Sequence, residues 1–133
     1  MADRSCAAII QDDAILMVRQ TYKGETIWTF PGGRLEYDET PSQCAIRETK
    51  EETGLEIEIS GKVCEFLNEK INGMYYCYLG GVVGGTLQLG SDPELSEDNQ
   101  ELADIKWFPI HEMKDHPEDK RLLAHLQWLM ENN

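Results

Sequence analysis

The apolar residues of this chain fall into short runs, which predict a series of β-strands. In the first third, residues 5–11, 14–20 and 26–30 are rich in aliphatic, β-branched or aromatic side chains. Asp12 and Asp13 separate the first two runs, so we expect a hairpin turn there. The third run stops at Pro31, and the flexible backbone of Gly32 and Gly33 then predicts a turn.

The second half of the chain continues this pattern. Residues 55–59 alternate apolar and acidic side chains, which indicates a half-buried strand, and residues 63–69 and 74–83 predict two more strands. Asn72 and Gly73 predict the turn between those two. Glycine pairs at 80–81 and 84–85 predict bulges or bends. Polar residues 90–101 predict a loop, and a last strand is expected to end near Pro109.

The segment between these groups of strands predicts a helix over residues 41–53. Thr40 is a favourable N-cap, Pro41 suits the first helical position, and Gln43 completes a capping-box pattern. Gly54 is placed to end the helix as its C′ residue.

A second helix is predicted near the C-terminus, where Leu122, Leu126 and Leu129 recur at helical spacing. The order of elements is then strands, helix, strands, helix, with strands too unevenly spaced for repeated βαβ units. A mixed sheet covered by helices is the α/β architecture that fits this order. The 133 residues suit one domain, which we expect to span 1–133.

Three glutamates crowd one side of the first predicted helix. At 100° per residue, Glu48, Glu51 and Glu52 share an arc of about 100°, beside the arc expected to face the core. That core-facing arc contains Ala45, Ile46, Thr49 and Thr53. Like charges at this spacing repel one another, and Arg47 is placed to neutralise only one of them. A solvated acidic face is the ordinary explanation, but oxygen ligands without sulfur or imidazole also suit Mg²⁺ or Mn²⁺.

Composition limits the partners that this chain can bind. The formal net charge is −13 and the pI is about 4.5, so the protein repels nucleic-acid polymers, acidic membranes and small phosphates unless bound cations invert the field locally. No apolar run is long enough to span a membrane, and the N-terminal residues lack a signal-peptide pattern. The cytoplasm is the expected location.

The cysteines and histidines offer little catalytic chemistry. Cysteines at 6, 44, 64 and 77 lack CxxC spacing and are expected to be reduced, packed thiols. His111, His116 and His125 are scattered, and none has a nucleophile partner in the sequence. We therefore expect neither a zinc site nor a Ser–His or Cys–His mechanism.

The segment from Gly33 to Leu55 resembles the Nudix box, G-x5-E-x7-R-E-U-x-E-E-x-G-U, in which U is a bulky aliphatic residue. The residues at the defined positions of this pattern are Gly33, Glu39, Arg47, Glu48, Thr49, Glu51, Glu52, Gly54 and Leu55. Thr49 departs from the pattern, which has an aliphatic residue there. Flanking segments at residues 30–33 and 105–113 are also similar to small Nudix domains. The resemblance implies an α/β/α sandwich with a mixed sheet that hydrolyses a nucleoside diphosphate linked to another group.

The resemblance also implies roles for individual residues. Glu51, Glu52 and the Gly32 carbonyl are expected to bind Mg²⁺ or Mn²⁺, and Glu48 to be a further ligand or the base that activates water. Arg47 is expected to orient the glutamates, with Glu39 as its acidic partner and Gly33 and Gly54 in supporting positions. A loop glutamate often joins such sites, and Glu97 or Glu101 is favoured here over Glu94. Arg19 and Arg34 could contact phosphates, and Trp28 could stack on a base, although such residues more often solubilise or pack.

Several substrates fit the resemblance. A nucleoside triphosphate is slightly favoured, while ADP-ribose, a dinucleoside polyphosphate, a nucleotide sugar and the 5′ pyrophosphate of RNA are alternatives. The acidic charge disfavours a long nucleic-acid footprint. A domain of this family that binds a nucleotide or a protein without catalysis is a further alternative, and a homodimer is common among such folds.

Overall fold

The computed structural model describes residues 3–22, 25–69, 71–90 and 100–110, which form seven strands and one helix. The strands are β1 (Arg4–Gln11), β2 (Ala14–Tyr22), β3 (Glu25–Thr29), β4 (Gly32–Arg34), β5 (Leu55–Asn68), β6 (Gly73–Gly85) and β7 (Gln100–Pro109). The helix α1 (Pro41–Thr53) lies between β4 and β5. The predicted C-terminal helix, the three histidines, Glu94 and Glu97 lie outside the described residues.

The strands form a mixed sheet, as the sequence predicted, and their order is β3-β2-β1-β6-β5. β1 and β6 run parallel over Arg4–Ile9, and the other pairs are antiparallel. The free edge of β1 is shared: β4 pairs with its first residues and β2 with its last. β7 pairs with the remaining edge of β2. β4 thereby comes to the centre of the sheet, directly against the helix.

The predicted turns are confirmed at the two hairpins. Asp12 and Asp13 have φ of 52° and 62°, which suits the tight hairpin that joins β1 to β2. Asn72 has φ of 52° at the turn between β5 and β6. Asx side chains tolerate this left-handed region better than other non-glycine residues.

The helix begins and ends where its capping residues predict. The Thr40 hydroxyl accepts from the Gln43 N–H at 3.2 Å, and the Gln43 side chain accepts from the Thr40 N–H at 3.0 Å. Gly54 follows with φ of 77°, and its N–H donates to the Lys50 carbonyl at 3.0 Å. Both ends are therefore fixed by local hydrogen bonds.

Apolar residues pack on both faces of the sheet. On the helix side, Ala45 of α1 packs with a cluster that includes Ala7, Ile9, Leu16 and Leu55. The opposite face has its own cluster, which includes Cys6, Ala8, Met17, Phe30 and Cys77. Of the residues expected to face the core from α1, Ala45, Thr49 and Thr53 are buried, whereas Ile46 is 37% exposed. The prediction for Ile46 was wrong because the buried stripe of the helix is shifted towards Cys44, Glu48 and Glu52, all of which are buried.

Two predictions of strand boundaries were wrong. Two strands were expected, at residues 55–59 and 63–69, but Leu55–Asn68 form the single strand β5. The ladder between β5 and β6 contains three register shifts. Those irregularities absorb the break that Ser60 and Gly61 suggested. Gly32 and Gly33 were expected to make a turn but belong to strand β4. Their small size is needed for close approach to neighbouring groups, as the site shows.

Candidate active site

Two carboxylates of α1 are buried between the helix and β4. Glu48 and Glu52 are 1% and 0% exposed, one helical turn apart. The Gly32 N–H donates to Oε2 of Glu52 at 3.0 Å. A Cβ atom on Gly33 would lie 2.6 Å from the carboxyl carbon of Glu48. The strand can approach Glu48 this closely because residue 33 is a glycine, whereas the missing Cβ of Gly32 leaves room for Ser5 and Cys6 of β1.

Arg47 joins the buried carboxylates to the loop before the helix. Its Nε and Nη2 donate to the two carboxylate oxygens of Glu39 at 2.7 and 3.0 Å, which is a bidentate pair. Its Nη1 donates to Glu48 Oε1 at 3.0 Å and lies 3.2 Å from Glu51 Oε2. The Arg34 carbonyl accepts from Nη2 at 3.1 Å. One guanidinium therefore fixes three carboxylates and one strand.

The network changes the proton affinity of its members. The hydrogen bond from Arg47 lowers the pKa of Glu39, although partial burial opposes this effect. The same hydrogen bond, together with the charge of Glu48, raises the pKa of Arg47. Burial, followed by the charges of Glu39 and Glu48, raises the pKa of Cys44 to about 12. The raised pKa favours the neutral thiol of Cys44, which is buried as the sequence predicted.

The chemistry of the donors suits a hard cation. The carboxylates of Glu36, Glu39, Glu48 and Glu51 lie within 3.5 Å of the single guanidinium of Arg47. The Glu52 carboxylate instead accepts from the Gly32 N–H. Buried carboxylates need compensating positive charge, which one arginine supplies only in part. In the described part of the chain, however, no group of three or more Asp, Glu, His or Cys side chains is already arranged to hold a metal ion. Glu51, which is 39% exposed, instead turns towards Arg47.

The other residues singled out from the sequence lie at varied distances from this network. Gly54 ends the helix, and its missing Cβ leaves room for the Thr86 carbonyl. The Arg19 guanidinium lies 5.7 Å from the ring centre of Trp28, whose ring packs edge-on against Phe108 at 5.0 Å. The backbone of Glu101 belongs to β7, but its side chain is not among the described groups.

A small cleft opens beside Gly32 and Gly33. It is lined by Arg4, Ser5, Cys6, Gln20, Thr29, Phe30, Gly32, Gly33 and Tyr75. Gln20 is only 9% exposed, which is unusual for an amide. Neither Gln20 nor Arg4 was predicted to belong to a binding or catalytic site. The signal for Gln20 was a polar residue at the end of an otherwise apolar run, but only the strand pairing brings these residues together.

Comparisons with known proteins identify sequences similar to this chain. The sequence model of the NUDIX domain matches residues 1–128. "Putative 8-oxo-dGTP diphosphatase" of Bacillus subtilis (strain 168) is 29% identical over 97 residues, which cover 73% of this chain and 58% of that protein. The NAD-capped RNA hydrolase NudC of Vibrio atlanticus (strain LGP32) is 31% identical over 111 residues, which cover 81% of this chain and 37% of that protein. The chain thus spans less than two thirds of these relatives.

The fold is similar to that of solved structures as well. The solution structure of the E. coli ORF135 protein superposes with a TM-score of 0.74 at 25% sequence identity. The match covers 98% of this chain and 91% of that protein.

Proposed function

This chain belongs to the NUDIX domain family, and on that premise we propose that it is a metal-dependent pyrophosphohydrolase of a small nucleotide. The observation that carries the proposal is the pair of buried carboxylates, Glu48 and Glu52, held against β4 by glycines at 32 and 33. Location in the cytoplasm, a single domain over 1–133 and a homodimer remain predictions.

The residues present fit a divalent cation of the Mg²⁺ or Mn²⁺ type. The donors are carboxylates, which such cations prefer, and Gly33 leaves the space beside Glu48 that a larger residue would fill. We assign Glu48 and Glu52 as ligands, joined by Glu51 and the Gly32 carbonyl. Glu51 would first leave Arg47, which its exposed position on the helix allows. Glu97 or Glu101 would complete the set.

When bound, the cation would neutralise the pyrophosphate oxygens and lower the pKa of a water molecule. As an alternative to its role as a ligand, Glu48 could take a proton from that water, and Arg47 Nη1 donates to one of its oxygens at 3.0 Å. Arg47 positions Glu48, and Glu39 holds Arg47 through two hydrogen bonds. These residues fix the geometry, which contributes much of the catalysis in phosphoryl chemistry.

We propose a nucleoside triphosphate as the substrate. The cleft beside Gly32 and Gly33 offers the amide of Gln20 and the partly exposed ring of Tyr75, which could bind a base by hydrogen bonds and stacking. The Bacillus subtilis relative is named for a nucleoside triphosphate, which supports this choice. Arg4 in the same cleft could contact phosphate, whereas Arg19, Arg34 and Trp28 do not line it.

A second candidate is the capped or pyrophosphorylated 5′ end of RNA, because the Vibrio atlanticus relative is named for NAD-capped RNA. The net charge of −13 limits such a substrate to contacts near its terminus. ADP-ribose, dinucleoside polyphosphates and nucleotide sugars are the remaining small substrates to compare.

A substrate panel tests the proposal. The purified protein would be incubated with Mg²⁺, with Mn²⁺ or with a chelator, and given each of these substrates together with 8-oxo-dGTP and ordinary nucleoside triphosphates. We expect metal-dependent release of a nucleoside monophosphate and pyrophosphate, identified by mass spectrometry. Nucleotide binding without turnover of any substrate would instead assign a non-catalytic domain.

A further inference from the structure

Three cysteines lie side by side across three adjacent strands. Cys77 on β6 pairs with Cys6 on the parallel strand β1 and with Cys64 on the antiparallel strand β5. Cys6 and Cys77 belong to the apolar cluster on the face opposite α1, and Cys64 packs against that cluster. No disulfide is formed. Cys6 also lines the cleft beside Gly32 and Gly33, whereas Cys64 and Cys77 do not line it and have no part in the proposed hydrolysis.

A register shift produces the pairing between Cys64 and Cys77. The ladder between β5 and β6 pairs Lys62 with Tyr78 and then Cys64 with Cys77, so that Val63 is skipped. Without this bulge, Val63 would face Cys77 instead. Residues directly opposed in antiparallel strands have Cα atoms about 4.5 to 5.5 Å apart. That spacing falls within the range of about 4.4 to 6.8 Å found for disulfides.

Access to solvent distinguishes the three thiols. Cys77 is 0% exposed and Cys6 is 4% exposed, whereas Cys64 is half-buried. Hydrogen bonds with the Cys6 and Cys64 thiols, together with burial, raise the pKa of Cys77. Cys77 therefore stays protonated and out of reach of solutes, while Cys64 can meet a small oxidant at the surface.

We propose that Cys64 and Cys77 form a reversible disulfide, and that Cys64 is the thiol that reacts with an external small-molecule disulfide. In the first step the Cys64 thiolate attacks one sulfur of glutathione disulfide, and one glutathione leaves. The Cys77 sulfur then attacks the Cys64 sulfur, and the second glutathione leaves with the proton that Cys77 gives up. Two protein thiols are oxidised and one glutathione disulfide is reduced to two glutathione molecules.

Two other uses of these thiols are less consistent with the structure. A soft cation would need several accessible thiolate ligands, whereas two of the three thiols of the row, Cys6 and Cys77, are almost fully buried. A disulfide between Cys6 and Cys77 has suitable register, but both thiols are buried, and the Cys6 sulfur lies 3.0 Å from the Tyr75 hydroxyl. Oxidation is therefore expected to begin at the half-buried Cys64, the most accessible thiol of the row.

Peptide mapping tests this assignment on the intact protein. The native chain would be incubated with glutathione disulfide, its remaining thiols alkylated at timed intervals, and the protein digested without reduction for mass spectrometry. We expect a link between the Cys64 and Cys77 peptides that dithiothreitol removes. Cys44, whose thiol donates to the Gly33 and Arg34 carbonyls and whose pKa is raised to about 12, serves as an internal control and should stay unmodified.

Single substitutions separate the steps. Cys77→Ser should retain glutathione on Cys64, Cys64→Ser should abolish the link, and Cys6→Ser is the matched control that should keep it. The wild-type map needs no variant, so it decides the question even if a substitution prevents folding. A link between Cys6 and Cys77, a permanent glutathione adduct on Cys64 of the wild type, or no reaction at all would overturn the proposal.

Discussion

The single guanidinium of Arg47 links groups that come from three different parts of the chain. It holds Glu39 from the preceding loop, Glu48 from the buried face of α1 and the Arg34 carbonyl from β4. Lysine has no planar fork, so it could not bind these three groups at once. Two kinds of residue shape the site: an arginine that bridges the carboxylates, and glycines that leave room for them.

Gly33→Ala is the most direct test of the space beside Glu48. The new Cβ would lie 2.6 Å from the Glu48 carboxyl carbon, so that side chain must move. We expect kcat to fall roughly 100-fold, because small displacements of catalytic groups have effects of that size. Gly61→Ala is the matched control, since nothing lies within 4 Å of a Cβ there, and it should keep full activity. Equal activity in both variants would contradict the role of Gly33.

The lowered pKa of Glu39 predicts a dependence of stability on pH. A carboxyl group whose pKa is lower in the folded state stabilises the fold above its ordinary pKa of 4.5 and loses this contribution as the pH falls through the folded value. Glu39→Gln should therefore be less stable than wild type at neutral pH, and the difference should shrink below about pH 4.5. Urea unfolding at a series of pH values measures it. A difference that stays constant into acid would show that the pair with Arg47 contributes nothing through charge.

At the level of secondary structure, the helix could be predicted closely and the strands less so. The bounds of α1 follow from Thr40, Gln43 and Gly54, because capping hydrogen bonds are local. Strand β4 was missed because a glycine pair suggests a turn. Here the two glycines instead contact the side chains of Glu52 and Glu48, which lie far along the chain. Long-range contact of this kind leaves no local signal.

Other features depend on register and could not be found from sequence. The row formed by Cys6, Cys77 and Cys64 needs one parallel pairing and one bulge, neither of which a residue pattern fixes. The cleft likewise joins Arg4, Gln20 and Tyr75 from three strands. In contrast, periodicity alone could place Glu48, Glu51 and Glu52 on one side of the helix, although the complete burial of Glu48 and Glu52 was not foreseen.

The N-terminal cap of α1 supports a prediction about this element. Thr40→Ala removes the hydroxyl that accepts from the Gln43 N–H, so the protein should lose about 1 kcal/mol of stability in urea unfolding. Ser42→Ala is a suitable control, because within the described residues its hydroxyl contacts only that of Thr40, at 3.4 Å, and alanine favours the helix. Similar losses in both variants would mean that the cap itself contributes little.

The whole molecule is strongly acidic, with a formal charge of −13, yet its proposed substrate is an anion. A divalent cation at Glu48 and Glu52 would reverse the field only locally, since the surrounding surface stays negative. No helix in the described ranges is long and apolar enough to cross a membrane.

This imbalance predicts how association with the substrate responds to salt. Raising the ionic strength from about 0.01 M to about 0.1 M shortens the Debye length from about 30 to about 10 Å. Repulsion between the protein and a nucleoside triphosphate is then screened, so kcat/KM at saturating Mg²⁺ should rise roughly twofold. Steady-state kinetics in potassium chloride measures this response. A steep fall would indicate that positive charge near the cleft, such as Arg4, guides the substrate instead.

The central claim is that buried carboxylates of α1 bind the cation needed for hydrolysis, and Glu52→Gln tests it most directly. This isosteric change removes one charge from a fully buried position, and Glu58→Gln makes the same change on an exposed position of β5. With Mg²⁺ and the best substrate of the panel, we predict that Glu52→Gln lowers kcat at least about 100-fold while its urea unfolding midpoint stays at or above that of wild type. Glu58→Gln should retain wild-type turnover. Full metal-dependent activity in Glu52→Gln would contradict the account.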